Sequence, residues 1–554
     1  MNRFALAYRE QQQLFLFDKT YLLGTLLKVG GLSTLTGRFI VQFFWNPTVA
    51  LCLTVLLLLL GGWMLWESVR RSLSDWVLLP VVLIPFVLLG GSLADNAVYF
   101  DVVPAWLFAV AAFRHYNHSS RARVCKGIFL TVVLYLAAGP GALLFAVCAM
   151  VTDAFRRDWR GVLYPVLGLL CGWLAYRLAW VPTLSAAWTP ALFYNIDASF
   201  PAWHWAAWIS LPVCVLLCET LKRMRVKRWV PLVAGLVLLA LTFIPAGTIT
   251  KQSEAGQSNL DYEFEYYTNR EDWDGLMEAC MYAPWLPRTA NYLNMAFAWK
   301  GELSEKLFYF DQRGPSALVM NTSDRGIDVA MAHLTFTMGN IAAAQDVSFN
   351  LLYSLQGLCP AMLKMNARIE LMRGSYEVAD KYLSLLEKAP HYRGWARSHR
   401  RFLYDDAAVE ADPLLGNGRR NLSAKNGFSM FSDPVGELFP ILDVNPGDTR
   451  AREYGLCYLL LMKDLNSVKH FIEDYYKDGE ALPRIAQEAM VFYSEYLRNM
   501  GGTESFGLDW CYAHGVTPET VRRFVAYQQA AVAGKNSLQK FRGTYWYYLI
   551  HTEI

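Results

Sequence analysis

The sequence predicts an all-α chain in three parts: an outer-face interfacial amphipathic segment (1–46), a polytopic transmembrane helical domain (47–249) and an extracytoplasmic helical solenoid (250–554). Three observations carry that prediction. Apolar runs near the roughly 20 residues needed to cross a bilayer fill the first half and end with WVPLVAGLVLLALTFIPAG, Trp229 to Gly247. Lys and Arg gather in alternate connections between these runs, as the positive-inside bias demands. Beyond Thr248 the long apolar runs give way to helical pairs that turn on glycine.

The opening segment has aromatic and aliphatic clusters broken by Arg3, Arg9, Glu10, Asp18, Lys19, Lys28 and Arg38. It cannot span, and it reads as helices lying on a membrane surface with a break at Gly30 and Gly31. Spans follow at Pro47 to Trp66, Trp76 to Leu93 and Val98 to Phe113, and the connection GSLADNAVYFD carries no Lys or Arg. From Gly127 to Thr152 the run is interrupted by AAGPG. As one crossing it would put the later basic clusters outside; as two short helices turning at Gly139 and Pro140 it keeps Arg70 to Arg71, Arg114 to Lys126, Arg156 to Arg160 and Lys222 to Arg228 on one side. The hairpin is therefore expected. Gly161 to Trp180 crosses outward, an aromatic-rich loop follows, and Trp203 to Leu221 returns before the last span. This scheme sets the amino-terminal segment outside and calls for a membrane helix upstream of it.

KQSEAGQSNLDYE reads as a polar linker. The clearest helix pair is MLKMNARIELMRGSYEVADKYLSLLEKAP, where Gly374, Tyr376, Ala379 and Pro390 stand where two antiparallel helices close on a small residue and then stop. It resembles a tetratricopeptide repeat, with weaker copies turning at Gly301 and Gly339 and a degenerate one at YLLLMKDLNSVKHFIEDYY. Repeats of this kind stack, since one alone cannot bury its apolar face. DDAAVEADPLLGNGRRNLSAKNG reads as a long polar loop and FRGTYWYYLI as part of a capping element.

A net charge of +3, with basic residues confined to short loops, does not suggest a nucleic-acid partner. The ten cysteines show no metal-ligand spacing and read as small buried apolar groups. No P-loop, HExxH, GxSxG or dinucleotide fingerprint is present. What remains is a set of ionisable residues near the outer face: Glu10 among aromatics, Asp95 and Asp101 flanking a short turn, and Arg177 about one turn inside an apolar helix. Arg38 on the surface segment and His204 at the start of a span complete the set. Ionisable groups at membrane depth are costly and tend to be functional. The plainer readings are that Arg177 snorkels to headgroups, Asp95 caps a helix and Glu10 is solvated.

The order of YREQQQLFLF, paired spans, an outer loop with Asp, and a basic loop followed by LYLAAGPGALLFAV resembles the membrane half of the GT-C superfamily of polyprenyl-phosphate-dependent glycosyltransferases. The whole chain also resembles an uncharacterised family of bacterial inner-membrane proteins with a periplasmic repeat domain. The first resemblance implies a sugar donor linked to polyprenyl phosphate, with Glu10, Asp95 and Asp101 as catalytic acids and bases and Glu10 at the family's base position. It further implies Arg177, Arg38 and His204 as substrate-binding residues, a divalent metal ion as a candidate cofactor, and an acceptor held by the repeat domain. The competing reading is a non-catalytic, membrane-anchored repeat scaffold that recruits a protein partner to an envelope complex. A transporter ranks third, because the membrane half shows no internal repeat.

Overall fold

In the computed structural model the described residues are 2–70, 73–118, 122–196, 202–223, 229–252, 255–319, 329–354, 358–422, 436–477, 480–500 and 507–553. Regular structure among them is entirely helical. The chain divides into two compact units, the first made of Met1–Glu263 with Glu387–Arg393, the second of Phe264–Leu386 with Gly394–Ile554. Of the basic clusters, Arg71, 119–121 and 224–228 lie outside the described residues.

The first unit begins with three short helices, α1 (Arg3–Gln12), α2 (Lys19–Leu26) and α3 (Gly31–Val41). Asn2 and Asp18 cap α1 and α2 by accepting from backbone N–H groups. A bundle follows: α4 (Pro47–Val69), α5 (Leu79–Ser92), α6 (Val102–His118), α7 (Arg123–Ala138), α8 (Gly141–Phe155) and α9 (Leu163–Arg177). The aromatic-rich loop holds two helical turns, α10 (Leu184–Trp188) and α11 (Pro190–Tyr194), ahead of α12 (Ala202–Arg223) and α13 (Trp229–Gln252). The chain does turn at Gly139 and Pro140, and α7 packs against α8 as a hairpin.

Two of these helices, Pro47–Val69 and His204–Arg223, are long and apolar enough to cross a bilayer; Trp76–Ser92, Gly141–Phe155 and Trp229–Thr242 are apolar but shorter. The short Gly141–Phe155 is the expected second arm of the hairpin, and Trp229–Thr242 is the first part of α13, which continues to Gln252. At 1.5 Å per residue the 14-residue α5 reaches about 21 Å, against a hydrocarbon core of about 30 Å.

The bundle has two chemically different ends. At one, Arg114 pairs with Glu67 at 2.8 Å and Arg223 reaches the Phe155 carbonyl. There Asp153 Oδ2 accepts from the Tyr116 hydroxyl at 2.5 Å and from Tyr164 at 3.3 Å, tying α6, α8 and α9 together. At the other end the connection 93–101, the Gly139–Pro140 turn and the aromatic loop meet. Gly30 N–H donates to the Leu136 carbonyl at 2.8 Å, Tyr194 to that of Ala138 at 3.0 Å and Asn195 to that of Ala97 at 2.9 Å.

The second unit is a succession of antiparallel helices. α14 (Ala255–Asn269) starts inside the segment expected to be a linker, which contains no proline to stop it. Then come α15 (Trp273–Tyr282), α16 (Pro287–Lys300), α17 (Leu303–Lys306), α18 (Val329–Thr337), α19 (Ile341–Ser354), α20 (Pro360–Arg373), α21 (Tyr376–Glu387) and α22 (Arg393–His399). The anticipated pairs are present as helix–turn–helix units: α16 and α17 around Gly301, α18 and α19 around Gly339, α20 and α21 around Gly374. Gly374 sits at φ +77° with no atom within 4 Å of where a Cβ would stand, so backbone conformation alone calls for glycine. The fourth pair, Thr449–Leu461 and Leu465–Tyr475, makes the same turn with Lys463 at φ +61°. The stretch expected to be a long polar loop instead forms helices Asp406–Ala411 and Pro413–Asn421, each capped by an aspartate; 423–427 lie outside the described residues. The terminal helix Tyr545–His551 docks on buried Glu488, whose Oε2 accepts from Tyr545 N–H at 2.8 Å.

Candidate functional site

The amino-terminal helix organises the polar end of the first unit. Arg9 and Gln13 are four residues apart, so both project from the same side of α1 and its cap. Arg9 is completely buried. Its guanidinium donates to the carbonyls of Leu93 at 2.8 Å, Asp95 at 3.1 Å and Val98, fastening the 93–101 connection. Burial lowers its pKa to about 10, with Asp95 and Asp101 among the groups opposing that shift, so it remains a cation at neutral pH. Gln13 then works in both directions: its Nε2 donates to Asp101 Oδ1 at 2.9 Å and its Oε1 accepts from Phe100 N–H at 3.0 Å.

Asp101 stands just before the first residue of α6 and is 1% exposed. Burial pushes its pKa up to about 7, against the pull of Arg38, Gln13 and Arg9. Gln13 is its one hydrogen-bonded donor among the described side chains, and it engages only Oδ1. Arg38 comes from α3. Burial works against its charge, but Asp101 and Tyr21 outweigh that and raise its pKa. Its Nε is buried without a hydrogen-bond partner, and Nη1 donates to the Tyr21 hydroxyl at 3.5 Å. The approach of α3 depends on Gly37, where a Cβ would lie 2.5 Å from Asp101 Oδ1.

The structure therefore brings together Asp101 and Arg38, and links Asp95 to them through Arg9. The Asp95 carboxylate itself accepts from Ala97 N–H at 2.9 Å and shapes the connection. Glu10 is buried on the same helix but is engaged elsewhere, accepting from Tyr392 Oη at 2.7 Å and Gln11 Nε2 at 2.7 Å. Arg177 and His204 also stand apart from the Asp101–Arg38 group. Arg177, the last residue of α9, is exposed beside Trp173, at 5.9 Å from the ring centroid, because a long side chain at a helix end reaches outward at little cost. His204 packs in the bundle 6.1 Å from Trp208, both its ring nitrogens lacking hydrogen-bond partners. Arg9, Gln13, Tyr21 and Gly37 were not anticipated as site residues. The i, i+4 spacing of Arg9 and Gln13 was the available signal. Among the described residues no group of three or more His, Cys, Asp and Glu could hold a metal ion. The cations acting on Asp101 in the structure are Arg38 and Arg9.

Placed at the end away from the Arg114 and Arg223 contacts, this arrangement offers a carboxylate that titrates near neutrality and a nearby guanidinium with unused donor capacity. The chain belongs to DUF6057, a family of unknown function. The match runs over residues 1–552. No curated protein and no solved structure matches the chain.

Proposed function

We propose that this is a polytopic inner-membrane protein that transfers a sugar from a polyprenyl-phosphate donor, with Asp101 as general base. The observation that carries the reading is the buried Asp101, with its pKa near 7, beside Arg38 at the end of the bundle away from the basic loops. The acceptor hydroxyl oxygen attacks the anomeric carbon and passes its proton to Asp101. The bond from that carbon to the donor's phosphate oxygen breaks, and polyprenyl phosphate leaves with the electron pair, its charge met by Arg38. A metal ion is not required in this scheme.

Apolar side chains exposed along the bundle, among them Leu56, Leu59, Phe129, Leu170, Ile209 and Leu241, support contact with lipid. The contacts of Arg114 and Arg223 then face the cytoplasm, and the Asp101 end faces outward with the second unit in the periplasm. That unit, read as a tetratricopeptide-like solenoid, holds the acceptor. A scaffold is the second reading, favoured by one observation: Arg9, Glu10 and Asp95 are already engaged within the protein and tie its segments together.

The test is donor consumption by the full chain in lipid nanodiscs, using a radiolabelled polyprenyl-phosphate hexose. Release of polyprenyl phosphate should rise with pH through about 7, following the ionisation of Asp101. Asp101→Asn should lower the rate by ~10²-fold or more, and Glu10→Gln by much less. No turnover by a folded protein, or an Asp101→Asn variant with full activity, sinks the transferase and leaves the scaffold.

A further inference from the structure

The second unit contains a shallow, partly open cleft. Its walls come from the α14–α15 turn, α16, α18 and α20, all parts of one compact unit. One wall is aromatic. Trp273 and Trp299 lie nearly parallel, 6° apart with ring centroids 5.2 Å apart, and Phe336 continues the stack at 6.4 Å. Trp299 is anchored by its Nε1–H, which donates to Thr337 Oγ1 at 2.8 Å, while Arg450 covers it at 4.1 Å. Trp273 is half-buried and lines the cleft.

The other wall is polar and contains both donors and acceptors. Arg368 Nη1 donates to Glu271 at 2.8 Å, and Lys364 lies 3.5 Å from the same oxygen. Burial works against Glu271 being charged, but Arg368 and Lys364 override it and hold its pKa at about 2. Arg368 Nε is buried with no hydrogen-bond partner. His333 shares Nε2 with Asn269 Oδ1 at 3.0 Å; burial, reinforced by Lys364, lowers its pKa to about 4. At neutral pH His333 is therefore an uncharged ring whose Nε2 donates to Asn269, and its Nδ1 carries a lone pair.

Glu271 occupies φ +59° in the turn that ends α14, the same left-handed turn conformation that Lys463 takes, and the turn sets its carboxylate in the cleft.

We propose that this cleft binds an acidic carbohydrate, one uronic-acid residue at a time. The indole wall suits the apolar face of a sugar ring. The mixture of Lys364, Arg368, Glu271 and the His333 nitrogen suits hydroxyl groups, which both donate and accept. One carboxylate and two cations around a neutral histidine leave a net local charge of +1 among these groups, matched by a single carboxylate on the ligand. A simple anion would gain nothing from the acceptors, and a neutral sugar would leave the excess cation without a counter-charge. Only the further identification of this sugar as the acceptor rests on the transferase reading; the binding claim does not.

Isothermal titration calorimetry on the full chain in nanodiscs, without donor, separates the two claims. The probes are trigalacturonate, neutral galactotriose and triglutamate. Trigalacturonate should bind at least ten times more tightly than either control. Trp273→Ala should weaken it tenfold or more, and Lys364→Gln should remove most of the preference over galactotriose, with thermal melts confirming that each variant is folded. The two substitutions probe opposite walls, so one folded variant suffices to decide. Equal binding of galactotriose, stronger binding of triglutamate, no binding of trigalacturonate, or a folded variant with unchanged affinity and selectivity overturns the proposal. Failure here leaves donor consumption by Asp101 unaffected.

Discussion

Asp101 in the first unit and Glu271 in the second are both carboxylates facing two cations, yet their proton affinities move in opposite directions. Asp101 rises to about 7 and Glu271 falls to about 2. The difference lies in contact. Glu271 is ion-paired with Arg368 at 2.8 Å and Lys364 at 3.5 Å, whereas the hydrogen-bonded neighbour of Asp101 is the neutral Gln13, and Arg9 is occupied by backbone carbonyls. Exposure adds to it: Asp101 is 1% exposed, while the Glu271 side chain keeps 42% of its surface in solvent. A cation within electrostatic range does not replace lost hydration unless it also makes the contact.

Removing Arg9 should have the largest effect on this comparison. Arg9→Met leaves the carbonyls of Leu93, Asp95 and Val98 buried without their donor and takes one cation away from Asp101. At about 1–3 kcal/mol for each stranded acceptor, the first unit should lose several kcal/mol, seen as a large fall in melting temperature. A melting temperature within a degree or two of the wild type would show that Arg9 does not hold the connection.

The next effect is on pH dependence. Because the folded-state pKa of Asp101 lies above its unfolded value of 3.8, its contribution to stability is fully present below pH 3.8 and is lost as pH rises to about 7. The slope approaches about 1.4 kcal/mol per pH unit within that window. Asp101→Asn should flatten it and stabilise the protein at pH 8, as read from denaturation midpoints across pH. An unchanged slope would place the titrating group elsewhere.

Glu271 should give a smaller effect of the opposite sign. Its depressed pKa supplies stability above pH 4.5 that is lost as pH falls toward 2. Solvent screening of this part-exposed group keeps the contribution to about 1 kcal/mol or less. Glu271→Gln should weaken the acid-side loss while moving the neutral-pH midpoint little. Smaller still, and a control outside both clusters, Gly374→Ala should cost about 1 kcal/mol through its left-handed backbone alone, since the methyl group would meet no atom.

The sequence by itself determined the helical class, the turns at Gly139–Pro140, Gly301, Gly339 and Gly374, and the run of short helices before Pro47. Each is a local property: apolar periodicity, a residue able to take a left-handed turn, or a charge that interrupts a run. It also brought Asp101 and Arg38 into the candidate set, because charges beside apolar runs stand out. The misread linker at 251–263 and loop at 405–422 show the limit of composition, since polar residues also form helices when capped and packed. Tertiary structure alone decided that Arg9 would be spent on backbone carbonyls, that Glu10 would meet Tyr392, that Arg177 would point away, and that Glu271, His333, Lys364 and Arg368 would share one cleft. Those outcomes depend on segments distant in sequence meeting within a few ångströms, where desolvation and direct contact, rather than residue type, set the charge state of each group.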